Sequence, residues 1–175
     1  MNLIYPIRAN IPNHPATYTR DRMKTMWDAL ADEGKIPWLF YDGGVRDALD
    51  YIDFMTSPDV FAYAVYDQTG ETPLCAYWVD GFMGRAAKMH FAFLDAGLPH
   101  MQRIGVETCN FLLRQGGLSC LIGLTPKPFR HAWQYALSVG FVRKTIIPGG
   151  CYLNQWGRFV DAVATLCTPE TLLPL

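Results

Sequence analysis

A change of hydrophobic period near residue 59 constrains the fold of this chain more than any single motif does. Before it, apolar residues recur at helical spacing. In "TYTRDRMKTMWDALADEGK", Met23, Met26, Trp27, Leu30 and Ala31 form one stripe, and Gly34 is a natural stop. "VRDALDYIDFM" repeats the pattern with Val45, Ala48, Leu49, Ile52 and Met55, after Asp42 and two glycines. "KIPWLFYD", between the two, reads as extended. From residue 59 the period becomes two. "DVFAYAVYDQTGETPLCAYWVDG" reads as two strands joined by a turn at Gln68-Thr69-Gly70. "RAAKMHFAFLD" is a third, with Ala87, Met89, Phe91 and Phe93 on one face and Lys88, His90, Ala92 and Leu94 on the other.

Past residue 95 the two periods alternate. "DAGLPHMQRIGVET" connects the third strand to a helix expected over roughly 103–115, with Gly116 as its C-cap. "LSCLIGLTP" is continuously apolar, as a central or parallel strand is. In "FRHAWQYALSVG", Phe129, Ala132, Trp133, Ala136 and Leu137 make a helical stripe that ends at Gly140. "FVRKTIIP" and "GRFVDAVATLCTP" read as the last strands, separated by "GGCYLNQW". A strand meander feeding strand–helix–strand–helix–strand implies an α+β fold, α/β-like and three-layered. Its central sheet is mixed, mostly antiparallel and flanked by helices, with room for a strand before or between the first helices. No repeat or linker interrupts the chain, so residues 1–175 are expected to form a single domain.

Composition narrows the function classes. Half the residues are hydrophobic and 18% are charged, as in an ordinary folded domain rather than a disordered chain. Formal net charge is −1 and no Lys/Arg block occurs, so no nucleic-acid surface is expected. No apolar run approaches the about 20 residues a bilayer span needs. "MNLIYPIRANIPNHP" lacks the basic start and apolar stretch of a signal peptide, so a cytoplasmic location is expected. Cysteines 75, 109, 120, 151 and 167 are odd in number and include no CxxC. Reduced, mostly buried thiols are expected, and neither a zinc site nor a disulfide framework. The G-x-S-x-G elbow, the P-loop and tight His/Cys metal pairs are all absent.

From Phe61 onward the order of elements resembles the GNAT fold of acyl-CoA-dependent N-acetyltransferases, a fold also found in compact phage-encoded proteins. Three features carry the resemblance: the meander 60–94 followed by "PHMQRIG", the strand "LSCLIGLTP", and "HAWQYALSVGFVRKTIIPG" with its Gly-Phe exit. The resemblance implies acetyl-CoA as cofactor, with its pyrophosphate at a Q/R-x-x-G-x-G/A loop. The first-turn N–H groups and the dipole of a helix favour an anion there. Gln102-x-x-Gly105 matches the first half of that pattern, and Glu107 stands at its last position. A second alignment sets Ile104-Gly105 on the final glycine pair and leaves the loop short. The implied cofactor contacts are Phe93, Leu94, His100, Gln102, Arg103, Ile104, Gly105 and Val106. Glu107 would repel phosphate if it faced inward, and would stabilise the helix if it pointed out from the first turn.

Acetyl transfer needs a base for the amine, an acid for the leaving thiolate and donors for the carbonyl. The family's tyrosine, four residues before the Gly-Phe exit, falls on Ala136. Tyr135 is one place earlier, turned about 100° around the helix. It is either the acid or a residue flanking the core stripe. His90 is the foremost candidate base, since imidazole changes protonation near neutrality; otherwise it is a hydrogen-bonded strand histidine. Asp95 is a second candidate, or a turn cap. His100 would contact phosphate, and His131 would be solvated. The expected activity is acetyl transfer to a small-molecule or peptide amine by direct attack. The alternative is a catalytically inactive GNAT-like binding or assembly protein, such as a phage head-assembly accessory. Either is compatible with a homodimer or a protein partner, and neither calls for a membrane.

Overall fold

The computed structural model describes residues 3–6 and 18–174. Most of the N-terminal stretch weighed above as a signal peptide lies outside them. Thr19 caps helix α1 (Arg20–Asp32) by accepting from the Arg22 N–H, and Met23, Met26, Trp27 and Leu30 are its buried face. Ala31, expected in that stripe, is exposed. Gly34 follows at φ +66°, as a helix stop requires.

The segment expected to be extended is instead the short helix α2 (Ile36–Leu39). Pro37 in its first turn loses no helical hydrogen bond there. Asp47 starts α3 (Ala48–Thr56) by accepting from the N–H groups of Leu49 and Asp50, both at 2.9 Å. That cap fixes the core face on Ala48, Tyr51, Ile52 and Met55. Leu49, expected on it, is 65% exposed, and Val45 is buried from outside the helix.

The strands are β1 (Leu3–Pro6), β2 (Phe61–Tyr66), β3 (Pro73–Met83), β4 (Ala86–Phe93), β5 (Cys120–Pro126), β6 (Val142–Leu153) and β7 (Arg158–Cys167). They form one mixed sheet in the order β1-β2-β3-β4-β5-β7-β6, the α+β architecture expected. β1 is the strand before the first helices. β4 and β5 pair in parallel, whereas β1–β2, β2–β3, β5–β7 and β6–β7 pair antiparallel. Contacts within the chain group into two units, residues 1–80 with 90–99 and residues 81–89 with 100–175.

In the first unit α1, α2 and α3 meet the sheet through aromatic rings. Trp27 lies 5.6 Å from Tyr51, and Phe40 stacks on Trp78 at 5.8 Å. The Tyr18 and Tyr51 hydroxyls share a buried hydrogen bond of 3.1 Å, and burial raises the pKa of both. β2 and β3 join through an Asp67 turn. Its carboxylate accepts from Thr69 Oγ1 at 2.8 Å and Gly70 N–H at 3.0 Å.

The Thr69 hydroxyl, with backbone N–H groups of the turn, holds the Asp67 carboxyl down to about 2. The contribution of this turn is therefore complete above pH about 4, the unfolded value, and is lost as pH falls through about 2. An NMR titration of Asp67 should give a midpoint near 2. A midpoint near that of a free carboxyl would show that the turn does not hold the charge.

In the second unit β4 pairs β5 over Ala86↔Cys120, Ala87↔Leu121 and Lys88↔Ile122 only, although β4 runs on to Phe93 and β5 to Pro126. A helix expected from about 103 starts earlier, as α4 (Met101–Asn110), and continues as a π-turn over Phe111–Gln115. Gly116 caps it at φ −76°, and the left-handed residue is the next one, Gly117, at φ +73°.

Helix α5 (Arg130–Ser138) buries none of its expected stripe, and Ala132 and Leu137 are exposed. Burial begins after it, at Val139, Gly140 and Phe141. The "GGCYLNQW" connection proves to be mostly strand. β6 passes through Gly149 and Gly150 with an irregular register between Ile147 and Cys151. A side chain at Gly150 would stand 2.8 Å from Ala162 Cβ, so glycine lets the bulged strand stay against β7. The chain reverses after Asn154–Trp156 at Gly157, φ +59°. All five cysteines are free, four of them buried and Cys120 partly so.

Candidate functional site

β4 ends at a cross-tie within the first unit. Asp95 N–H donates to the Glu33 carboxylate at 3.0 and 3.1 Å. Lys35 Nζ bridges Glu33 at 2.6 Å and Asp95 at 2.7 Å. Burial pulls the Lys35 pKa down, but the hydrogen bonds it donates to Asp95 and Glu33 outweigh it, and the net shift is upward. Asp95 therefore pins the end of β4 to the α1–α2 junction. Leu94 is fully packed in the core beneath α1 and α3, and its N–H donates to the Leu74 carbonyl at 3.0 Å. Phe93 is half-buried and stacks on Phe91 at 5.9 Å.

His90 is the expected site residue with the most distinctive surroundings. Its imidazole lies flat on the Trp78 indole, centroids 5.0 Å apart and planes 5° apart. Nε2 lies 3.1 Å from Asp80 Oδ2. Nε2 is out of reach of solvent and makes no aligned hydrogen bond among the described residues, so the carboxylate is close to it but off the N–H axis. The His90 side chain as a whole is 34% exposed. Asp80 and Trp78 were missed in the sequence. The available signal was their place across the tight β3–β4 turn, where Gly84 sits at φ +62°, but strand alternation alone does not single out one carboxylate.

The expected phosphate segment divides differently from the expectation. Asp95–His100 is a 3-10 turn that runs directly into α4. His100, Gln102 and Arg103 are exposed at the start of α4, and no side chain caps it. Ile104, Gly105 and Val106 are buried. Gln102-x-x-Gly105 thus lies inside the helix, not in a loop ahead of it.

Gly105 is the fifth residue of α4, where a Cβ would overlap the Tyr135 hydroxyl and stand 2.7 Å from Val139 Cγ1. The Tyr135 hydroxyl donates to the Met101 carbonyl at 2.9 Å. Glycine here lets α5 pack closely on α4, and Tyr135 ties the two together. Glu107 is in the second turn, not the first, and pairs with Arg103 at 2.7 Å. As an exposed i,i+4 pair this is worth about 0.3–0.5 kcal/mol. His131 is exposed on α5.

No family model matches the sequence, and no curated protein matches it. Solved structures do match. Spermidine N-acetyltransferase from Vibrio cholerae, in complex with CoA and spermine, superposes with a TM-score of 0.72 at 10% identity, covering 89% of this chain and 95% of that one. Ribosomal-protein-S5-alanine acetyltransferase from Vibrio fischeri gives 0.68 at 12% identity, covering 89% and 92%. The fold is that of the GNAT acetyltransferases. At this identity the likeness lies in the backbone. This chain has a parallel β4–β5 pairing and a helix, α4, after β4. Among the described residues, no group of three or more His, Cys, Asp or Glu could hold a metal ion. No helix there is long and apolar enough to cross a membrane.

Proposed function

We propose that the chain is an N-acetyltransferase using acetyl-CoA, with an amine as acceptor. One observation carries this reading: the backbone follows a CoA-bound, spermine-bound acetyltransferase over 95% of that protein's length. The amine nitrogen would attack the thioester carbonyl, forming the C–N bond as the C–S bond breaks. Its proton would go to His90, and that proton would pass on through solvent to the departing thiolate, which leaves as coenzyme A. The exposed His100, Gln102 and Arg103, with the first-turn N–H groups of α4, would meet the cofactor phosphates. Phe93 would contact the cofactor. Leu94, Ile104 and Val106 would serve through the backbone that their buried side chains anchor, and Gly105 through its backbone alone. Tyr135 and Asp95 already hold structural bonds, so the proposal leaves proton removal to His90 alone. A small polyamine fits this reading as acceptor, since the Vibrio cholerae neighbour binds spermine.

A second reading has its own support. Gly105 is consumed by packing, the family's tyrosine position is Ala136, and Tyr152, Trp156 and Phe159 are exposed near the β6–β7 reversal. These features suit a GNAT-like protein that binds a partner without transfer. Thermal unfolding with acetyl-CoA, and with ATP as a phosphate control, separates the two. Acetyl-CoA at 100 times its Kd should add about 2.7 kcal/mol. For a domain of this length that is about 5–10 °C. A shift with acetyl-CoA and none with ATP supports the transferase. No shift at millimolar acetyl-CoA would favour the binding protein.

A further inference from the structure

The candidate base sits in a stack of three rings. Phe40 lies nearly parallel to Trp78, at 16°, and Trp78 nearly parallel to His90, at 5°. Stacking fixes the plane of the imidazole. It does not fix which ring edge points inward, because turning the ring over within that plane leaves the stack unchanged. It also does not fix which nitrogen carries the proton. Asp80 can supply both. An ionised carboxylate only accepts hydrogen bonds, so its charge favours an N–H on the ring edge beside it over a C–H or a lone pair. Oδ2 lies 3.1 Å from Nε2, the nitrogen that solvent does not reach. The exposed part of the side chain therefore falls on its other atoms.

Resting on the transferase reading, we infer that Asp80 is a positioning residue for His90. It holds the imidazole with its proton on Nε2, and so makes Nδ1 the nitrogen that takes the proton from the attacking amine. When Nδ1 gains that proton the ring becomes an imidazolium with a carboxylate beside it. The contact that is close but misaligned in the neutral ring then becomes an ion pair, so Asp80 acts most strongly when charge has moved. The acceptor amine is thus expected to approach the Nδ1 edge.

The test has two independent arms, both on the full chain. The first reads the His90 tautomer by long-range 1H–15N correlation above neutral pH, with the signal assigned by its loss in His90→Gln. The wild type should show the Nε2–H tautomer, and Asp80→Ala should show a mixture. An Nδ1–H ring in the wild type, or one tautomer unchanged by Asp80→Ala, overturns the inference. If Asp80→Ala does not fold, Asp80→Asn replaces it. The second arm follows acetyl transfer from acetyl-CoA to spermidine. Asp80→Ala should lower kcat by about tenfold or more, with KM for acetyl-CoA unchanged and partial recovery in Asp80→Glu. An unchanged kcat overturns the role. A wild type that transfers nothing, but whose His90 tautomer still depends on Asp80, would refute the transferase reading and leave the positioning intact.

Discussion

Gly97→Ala is expected to destabilise the protein by about 3 kcal/mol, the upper end for forcing atoms into a packed interior. Gly97 is buried in the 3-10 turn after β4. A Cβ there would overlap the Leu74 carbonyl oxygen and stand 2.9 Å from the Leu74 carbonyl carbon. The obstacle is backbone, so no rotamer change relieves it. The Leu74 carbonyl also accepts from the Leu94 N–H at 3.0 Å, and Leu94 in turn accepts from the Gly97 N–H at 2.8 Å. Moving β3 away would strain these bonds together with the pairing of Cys75 to Val65 beside them. Thermal unfolding should fall by about 6–12 °C. A variant within about 1 °C of wild type would mean that the turn relaxes freely and that the close approach is not needed.

What the sequence revealed follows from which forces are local. Helix stops and turn residues act over four or five positions, so Gly34 and the turn at Gln68-Thr69-Gly70 could be read directly. Strand alternation exposed β2 and β4, and the order of elements gave the fold. The misplaced elements failed where a distant partner decides the outcome. Leu49 is apolar enough for the core, but the Asp47 cap sets the helix phase and Tyr51 takes the inward position. The α5 stripe has a helical period, yet none of it is buried, since period says which residues share a face and not what covers it. Gly149 and Gly150 look like a loop unless the facing Ala162 is known. The site shows the same division. His90 stands out by residue type, whereas Asp80 becomes its partner only once two strands lie side by side. Gly105 reads as a phosphate glycine in one dimension and as a helix contact in three.

That last difference gives the second large effect. Gly105→Leu should cost about 3 kcal/mol, because leucine has no room against Tyr135 and Val139. If Gly105 served only to let a phosphate approach, the variant would instead keep its stability, or gain from the better helix propensity of leucine. The two accounts therefore predict opposite signs in the absence of any cofactor. A double-mutant cycle with Tyr135→Ala strengthens the test. Val139 is fully buried and stays in place, whereas removing the Tyr135 ring opens part of the space that leucine needs. Tyr135→Ala alone loses the bond to the Met101 carbonyl, worth about 1 kcal/mol, together with the packing of the ring. In the Gly105→Leu background much of that loss should vanish, leaving a coupling of about 1–2 kcal/mol. Additive losses would separate the two residues and return Tyr135 to consideration as the acid. Strong coupling would mean that lost coenzyme A binding in a Gly105 variant reports first on the α4–α5 contact. Variants at the exposed Gln102 and Arg103 would then be the ones that probe the phosphates.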